Sequence, residues 1–254
     1  MSCAATHSTL YLFIIKEGEK YMEWKNSIIT QLSWSATITN RESKEKVAQE
    51  IAQRAHNGDI IGAGSGSTVY LALFAIAERI QNEGLQIQVI PGSMEISMTC
   101  IQLGIPQTTL WEKKPDWSFD GADEVDPLHN LIKGRGGAMF KEKLLICNST
   151  HTFIIVDESK LVEHLGSKFP IPIEVFPNAL PYVENQIKEL GASETKLRLA
   201  KGKDGPILTE NGNFILDARF NLIPNSLEKE IKSITGVIES GLFMGYPVEI
   251  IVAK

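Results

Sequence analysis

DIIGAGSGSTVYLALFAIAERIQNEG, residues 59–84, changes character partway along. DIIGAG reads as a short buried strand that ends in glycines, and STVYLALFAIAERIQNEG reads as a helix closed by Gly84. The same alternation continues outward. LQIQVIPGS (85–93) is a strand, MEISMTCIQLG (94–104) a helix, WSFDGADEVD (117–126) a strand with its exit loop, GGAMFKEKLLICN (136–148) a helix and HTFIIVDES (151–159) a strand. Before the quoted stretch, RESKEKVAQEIAQRAHNG (41–58) places Val47, Ile51 and Ala55 at helical spacing, with Gly58 as a stop. A β-α-β series of this kind implies a parallel sheet covered by helices on both faces, hence an α/β fold.

The texture shifts after about Gly166. Pro170, Pro172, Pro177 and Pro181 interrupt any regular helix, so a boundary is expected there. Downstream lie a helix over 181–191, a strand around KLRLA (196–200), a hairpin-like GPILTENGNFILDARF (205–220) turning at Asn211-Gly212, and a helix at SLEKEIKSITG (226–236). That order suits a smaller α+β domain, with PVEIIVAK (247–254) returning as a strand to the large sheet.

Residues 1–40 carry no sustained period and read as a poorly ordered extension outside the core, with Met22 as an alternative start. The apolar run LYLFII (10–15) is too short to span a bilayer, and no basic n-region or small-residue cleavage site makes it a signal peptide. The 254 residues carry a net charge of −6, which argues against nonspecific binding to nucleic acid or anionic membrane. Cys3, Cys100 and Cys147 form no CxxC or Cys/His spacing, which suggests neither a disulfide framework nor zinc and fits a reducing cytoplasm. The five histidines show no paired-ligand spacing and are expected at the surface.

Four stretches can carry chemistry. GAGSGST (62–68) lies between strand and helix, where backbone N–H groups favour an anion. It fails the GxGxxG pattern at Ser67 and has no phosphate-loop lysine, but Ser65, Ser67 and Thr68 offer hydroxyls; it also reads as a tight turn with a serine N-cap. LIKGRGGAMFKEKLL (131–145) puts Lys133 at a strand end, then Gly134, Gly136 and Gly137, then Glu142 between Lys141 and Lys143, a triplet that equally reads as a solvated face. VDESKLVEHLG (156–166) offers Lys160, otherwise a helix-cap or surface group, and FDGADEVD (119–126) offers Asp120 and Asp123 as a working pair, with Glu124 and Asp126 not needed beside them. All four are expected at the carboxyl ends of strands in one parallel sheet, where open α/β sheets bind ligands.

In this order, GSGST, DGADEVDP, LIKGRGGAMFKEKLL, VDESKLV…LG and GVIESGLFMG resemble ribose-5-phosphate isomerase of the A type, over about residues 41–245. The resemblance implies a Rossmann-like domain (41–165 and 238–254) with a smaller ferredoxin-like α+β domain (166–237) inserted before the last strand. It implies interconversion of ribose 5-phosphate and ribulose 5-phosphate with no cofactor or metal, in a cytoplasmic homodimer. It further implies Glu142 as general base, Asp120 and Asp123 as the acidic pair and Lys133 as the active-site lysine. The substrate loop falls on Ser65, Gly66, Ser67 and Thr68, and further substrate contacts on Lys44, Gly121, Ala122, Gly134, Arg135, Gly136 and Lys160. Arg135 interrupts the glycine run that many members have. On this reading Asp120 opens the furanose ring and Asp123 orients the sugar. A noncatalytic sugar-phosphate sensor of the same architecture is the alternative. It would be expected to carry a DNA-binding helix-turn-helix and a basic face, and residues 1–40 supply neither. A coenzyme A transferase-like enzyme with Glu142 as nucleophile is a third reading, separated by thioester binding.

Overall fold

The structure, a computed structural model, describes Trp34 and residues 37–253. The expectations for the first 33 residues lie outside the described residues. In chain order the first half comprises α1 (Arg41–Gln53), β1 (Ile60–Ala63), α2 (Ser67–Glu83), β2 (Gln88–Pro91), α3 (Met94–Leu103), β3 (Trp117–Asp120), β4 (Glu124–Val125), β5 (Leu131–Ile132), α4 (Met139–Asn148) and β6 (His151–Asp157). The second half comprises β7 (Ile171–Val175), α5 (Leu180–Glu189), β8 (Ala192–Leu197), β9 (Phe214–Phe220), α6 (Leu227–Ser233), β10 (Val237–Ser240), β11 (Leu242–Phe243) and β12 (Val248–Ala253).

The alternation read from residue 41 onward yields a five-stranded sheet in the order β12-β6-β3-β1-β2, every pairing parallel. Its inner strands β1, β3 and β6 are largely buried on both sides, which is why they read as apolar runs rather than alternating ones. β6 shows the two faces: Phe153 and Ile155 enter the core with α1 and α2, while Ile154 and Val156 pack with Ile146, Leu131 and Phe243. In α2, Val69, Leu73 and Ile76 are fully buried, each worth about 1.5–3 kcal/mol of apolar burial. α2 keeps its amphipathic period because Gly84, at a left-handed φ of 71°, ends it.

The second sheet is antiparallel, β10-β7-β9-β8, with α5 and α6 in the crossovers, so its chain order is β-α-β-β-α-β. This is the ferredoxin-like arrangement, and the chain leaves it through β11 to finish as β12 beside β6. Several details differ from the sequence reading. FPIPIEVFP contains an interior strand: β10 pairs with β7 only as far as Ile173, so the N–H missing at Pro172 removes no ladder bond, and the Pro172 carbonyl accepts from Gly241 N at 2.7 Å. KLRLA is a strand only to Leu197. The 205–220 hairpin does not form, because residues 206–209 make only an isolated bridge, Leu199 with Pro206, and β9 pairs with β7 and β8 instead.

The described part of the first forty residues touches the core. Ile38 packs against it, and the Trp34 ring lies 5.2 Å from that of Tyr70. His56, His129, His151 and His164 are exposed, as expected of surface histidines.

Candidate active site

The expected shared sheet edge holds for three of the four stretches. Lys133 does not come from the parallel sheet: it follows β5, in a separate three-stranded antiparallel sheet β11-β5-β4. Strands two residues long have no period to read, so this pairing was invisible in the sequence. The Lys133 backbone is fixed by its N–H to Gly241 O at 2.9 Å, and a Cβ on Gly241 would lie 2.1 Å from the Lys133 carbonyl oxygen, so only glycine allows the approach.

Three charged side chains, each about 3% exposed, meet at the end of β1 and β3. Lys133 Nζ donates to Gly121 O at 2.5 Å and lies 2.9 Å from Asp120 Oδ2 and 3.3 Å from Glu142 Oε2. Asp120 Oδ1 accepts the backbone N–H of Ser65 (3.1 Å) and Gly121 (2.7 Å). Its carboxyl occupies the space where a side chain at position 64 would begin, since a Cβ on Gly64 would sit 1.9 Å from Asp120 Cγ. Glu142 Oε1 accepts the hydroxyl proton of Ser65. Although both are near Lys133 Nζ, Asp120 Oδ2 and Glu142 Oε2 receive no aligned hydrogen bond, so each keeps lone pairs uncommitted in a site shielded from water.

Burial and the neighbouring Glu142 charge push the Asp120 carboxyl up to about 7, outweighing Lys133 and the Ser65 amide. Burial also raises Asp123, against the attraction of Lys133 and Lys160. For Lys133, burial works to lower the pKa, but Asp120 and Glu142 win and hold it above its ordinary value. One cation between two buried carboxylates leaves excess negative charge, and Asp120 is where the proton is drawn.

Lys133, Glu142 and Asp123, though not Asp120, border a cleft of about 460 Å³ walled by Ser65 to Thr68, Gly121 to Asp123, Lys133 to Ala138, Glu142, Lys44, Asp157 and Lys160. A larger hollow of about 690 Å³ between α1 and α2 collects no such set: it is bordered by Ile38, Tyr70, Leu71 and Phe74, and its Arg41 and Glu45 pair with each other. At one end of the cleft stands the N-terminus of α2. Its N-cap is Gly66 with no side-chain cap, so the serine N-cap reading of this turn is overturned: Ser65 is spent on Glu142, and Ser67 Oγ accepts from Lys44 Nζ at 3.2 Å. The first-turn amides therefore face the cleft without an internal acceptor. Lys44 is buried, and burial together with Lys160 and Arg135 lowers its pKa against the pull of Asp157. Lys160 Nζ also lies 5.4 Å from the Phe169 ring centroid.

Asp123 lines the cleft, and its Oδ2 accepts the Arg135 backbone N–H at 3.2 Å. Its neighbours are occupied elsewhere. Glu124, fully buried, accepts the backbone N–H groups of Gly166, Lys168 and Phe169, each at 2.6 Å. Asp126 accepts from Leu128 and Asn130 in a tight turn.

The solvated-face reading of Lys141-Glu142-Lys143 fails for two of its three members. Lys143 is buried and donates to Glu228 (2.6 Å), Glu239 (2.9 Å) and Leu242 O (2.7 Å), with the Phe243 ring 4.5 Å away, and so ties α4 to α6 and β10. Lys141 is half-exposed and reaches Glu210 at 2.6 Å. Glu210 also accepts from Met94 N and lines the cleft, as do Trp34, Thr37, Thr39, Ser93 and Glu95, none of them singled out from sequence. Among the described residues no group of three or more His, Cys, Asp or Glu could hold a metal, and no helix is long and apolar enough to cross a membrane.

Residues 88–254 match the family described as ribose 5-phosphate isomerase A (phosphoriboisomerase A). The chain is similar to ribose-5-phosphate isomerase A of Methanothermobacter thermautotrophicus, 42% identical over 80% of this chain and 89% of that protein. It is 44% identical to the Methanocaldococcus jannaschii enzyme of the same name over 81% of this chain and 92% of that protein. The solved structure of the Methanocaldococcus jannaschii enzyme superposes with a TM-score of 0.82 over 85% of this chain and 96% of that one. A D-ribose-5-phosphate isomerase in complex with phospho-erythronic acid also gives 0.82, at 36% identity, over the same shares of the two chains.

Proposed function

The chain belongs to the ribose 5-phosphate isomerase A family, and on that premise we propose that it interconverts ribose 5-phosphate and ribulose 5-phosphate through an enediolate, with Glu142 as the base. The observation that carries the reading is the buried group around Lys133, where a carboxylate oxygen with a free lone pair stands 3.3 Å from a cation. Aldose-ketose isomerisation moves a proton between C2 and C1, so it needs one base reaching both carbons and a positive donor at the oxygen where charge develops. Glu142 takes the first role and Lys133 the second.

The substrate phosphate binds at the N-terminus of α2, on its free amides, Ser67, Thr68 and Lys44, with Lys160 and Arg135 adding positive charge. Binding energy gathered at that remote end holds C1 and C2 against Glu142. Ring opening we assign to Asp123 rather than Asp120. Asp123 lines the cleft, whereas Asp120 has one oxygen on two amides and the other beside Lys133, so it sets the charge of the pair that does the work. The same premise supports a cytoplasmic homodimer acting in the non-oxidative pentose phosphate branch.

Incubating the purified chain with ribose 5-phosphate in the presence of EDTA and following ketose formation tests substrate and reaction together. Binding of phospho-erythronic acid without any turnover of ribose 5-phosphate would overturn the catalytic reading in favour of a sugar-phosphate sensor.

A further inference from the structure

We infer that Arg198, which lies outside the cleft, is a positioning residue for the glycine loop that forms one cleft wall. It follows β8 in the antiparallel sheet, and its guanidinium is divided between two tasks. Nε and Nη2 bind both oxygens of Asp217 on β9, the Nε bond at 2.8 Å. Nη1 donates to the carbonyls of Gly134 (3.1 Å) and Arg135 (2.9 Å). Arg198 and Asp217 are 19% and 16% exposed, so the pair is largely removed from solvent and from screening.

The two carbonyls belong to the loop between Lys133 and α4. On its other side this loop presents the Arg135 N–H to Asp123 at 3.2 Å, and Gly134 to Gly137 line the cleft. A connected route therefore runs from Asp217 through Arg198 and the loop backbone to Asp123, and to Lys133 one residue earlier. A glycine loop left alone samples many conformations; two hydrogen bonds from one rigid planar fork hold adjacent peptide units in a fixed relative orientation. Lysine cannot replace the fork, because one ammonium cannot chelate Asp217 while reaching both carbonyls. The second sheet thus sets the geometry of a wall of a site whose reacting groups come from α4 and from the ends of strands in the first and third sheets.

The kinetic part of the test rests on the proposed isomerase activity, and the exchange part does not. In Arg198→Ala, amide hydrogen exchange over 133–137 should speed up at least tenfold while peptides in α2 and β6 keep their rates. Because Lys133 faces charge that develops in the transition state, kcat should fall about 10–100-fold with KM changed less than threefold. Added guanidinium at millimolar concentration should restore part of kcat in Arg198→Ala, and Arg198→Lys should stay as impaired as the alanine variant. Unchanged loop exchange in Arg198→Ala, or kcat within twofold of wild type, overturns the inference. So does full recovery in Arg198→Lys. If the wild-type chain turns over no ribose 5-phosphate but loop exchange still responds, the proposed function fails while the clamp stands.

Discussion

Replacing Glu142 by Gln keeps the size and most of the contacts of the side chain and removes its ability to take a proton from carbon. The carbonyl of the amide can still accept the Ser65 hydroxyl proton that Oε1 accepts now. The amide nitrogen then faces Lys133 Nζ at the position where Oε2 stands 3.3 Å away, two donors opposed, so Lys133 turns fully onto Asp120, already 2.9 Å distant. Loss of a positioned general base costs roughly 10²–10⁴-fold, equivalent to about 3–5 kcal/mol of barrier at 1.36 kcal/mol per tenfold. The upper end is expected here, because Asp120, whose free oxygen stands 2.9 Å from Lys133 Nζ, is not among the residues that line the cleft, and Asp123 is held by the Arg135 amide. A second signature follows from charge. Glu142 is among the causes that raise Asp120 to about 7, so the residual activity of Glu142→Gln should show its inflection at lower pH. The assays are ketose formation, exchange of the C2 proton of ribose 5-phosphate with deuterated solvent by NMR, and calorimetric binding of phospho-erythronic acid. Isomerisation and exchange should collapse together while binding stays within about threefold. Exchange persisting near the wild-type rate would refute the reasoning and hand the proton transfer to Asp120 or Asp123.

Lys133→Ala should lower kcat far more than it raises KM, as expected for a group facing transition-state charge; a change in KM alone, read from initial rates, would make Lys133 a binding residue. Asp120→Asn should abolish the inflection near pH 7 in kcat/KM. Because the Asp120 pKa is raised on folding, its proton stabilises the native state fully below the ordinary carboxylate value and that contribution is lost as pH rises through about 7. Thermal midpoints measured from pH 5 to 8 should therefore fall less in Asp120→Asn than in wild type. Lys143→Met should cost about 3–5 kcal/mol in urea unfolding, since it leaves buried Glu228 without its cation and Glu239 with only the half-exposed Lys232, and adding Glu239→Gln should recover part of the loss.

What the sequence disclosed and what it hid separate along one physical line. β1, the glycine turn and α2 were legible because a buried strand, a turn and a four-turn helix each leave a local signal within a few residues. β4, β5 and β11 left none: each is two residues long, too short to show a period, and β11 pairs with β5 from a distant part of the chain. Pro172 was legible only as a helix breaker: that it can sit in an interior strand depends on the ladder stopping beside it, and where a ladder stops is a tertiary fact. The site divides in the same way. Glu142, Lys133, Asp120 and Asp123 fall in motifs that can be recognised, and their conjunction was anticipated through resemblance rather than through spacing. Lys143 was not, since its partners lie 85 and 96 residues along the chain, and neither was Arg198, 64 residues from the carbonyl it holds.

The crowding of four acids into residues 120–126 is tolerable because each finds a different kind of partner. Glu124 is neutralised by three peptide dipoles and Asp126 by its own turn, so neither draws on a cation. Lys133 is thereby left chiefly to Asp120 and Glu142, with Asp123 a weaker third partner. Burial of Asp120, with the Glu142 charge beside it, outweighs the pull of this one cation, and the inner end of the cleft therefore attracts a proton near neutral pH. The outer end gathers three cations against Asp157: Lys44, Lys160 and Arg135, the latter two close enough to depress the first while Asp157 pulls it up. A sugar phosphate entering such a cleft meets cations and free helix amides at one end and acids at the other. Reversing it would place a dianion against Asp120 and Glu142, a like-charge cost that the protein need do nothing further to enforce. On the proposed function, this charge gradient favours the orientation that carries C1 and C2 to Glu142.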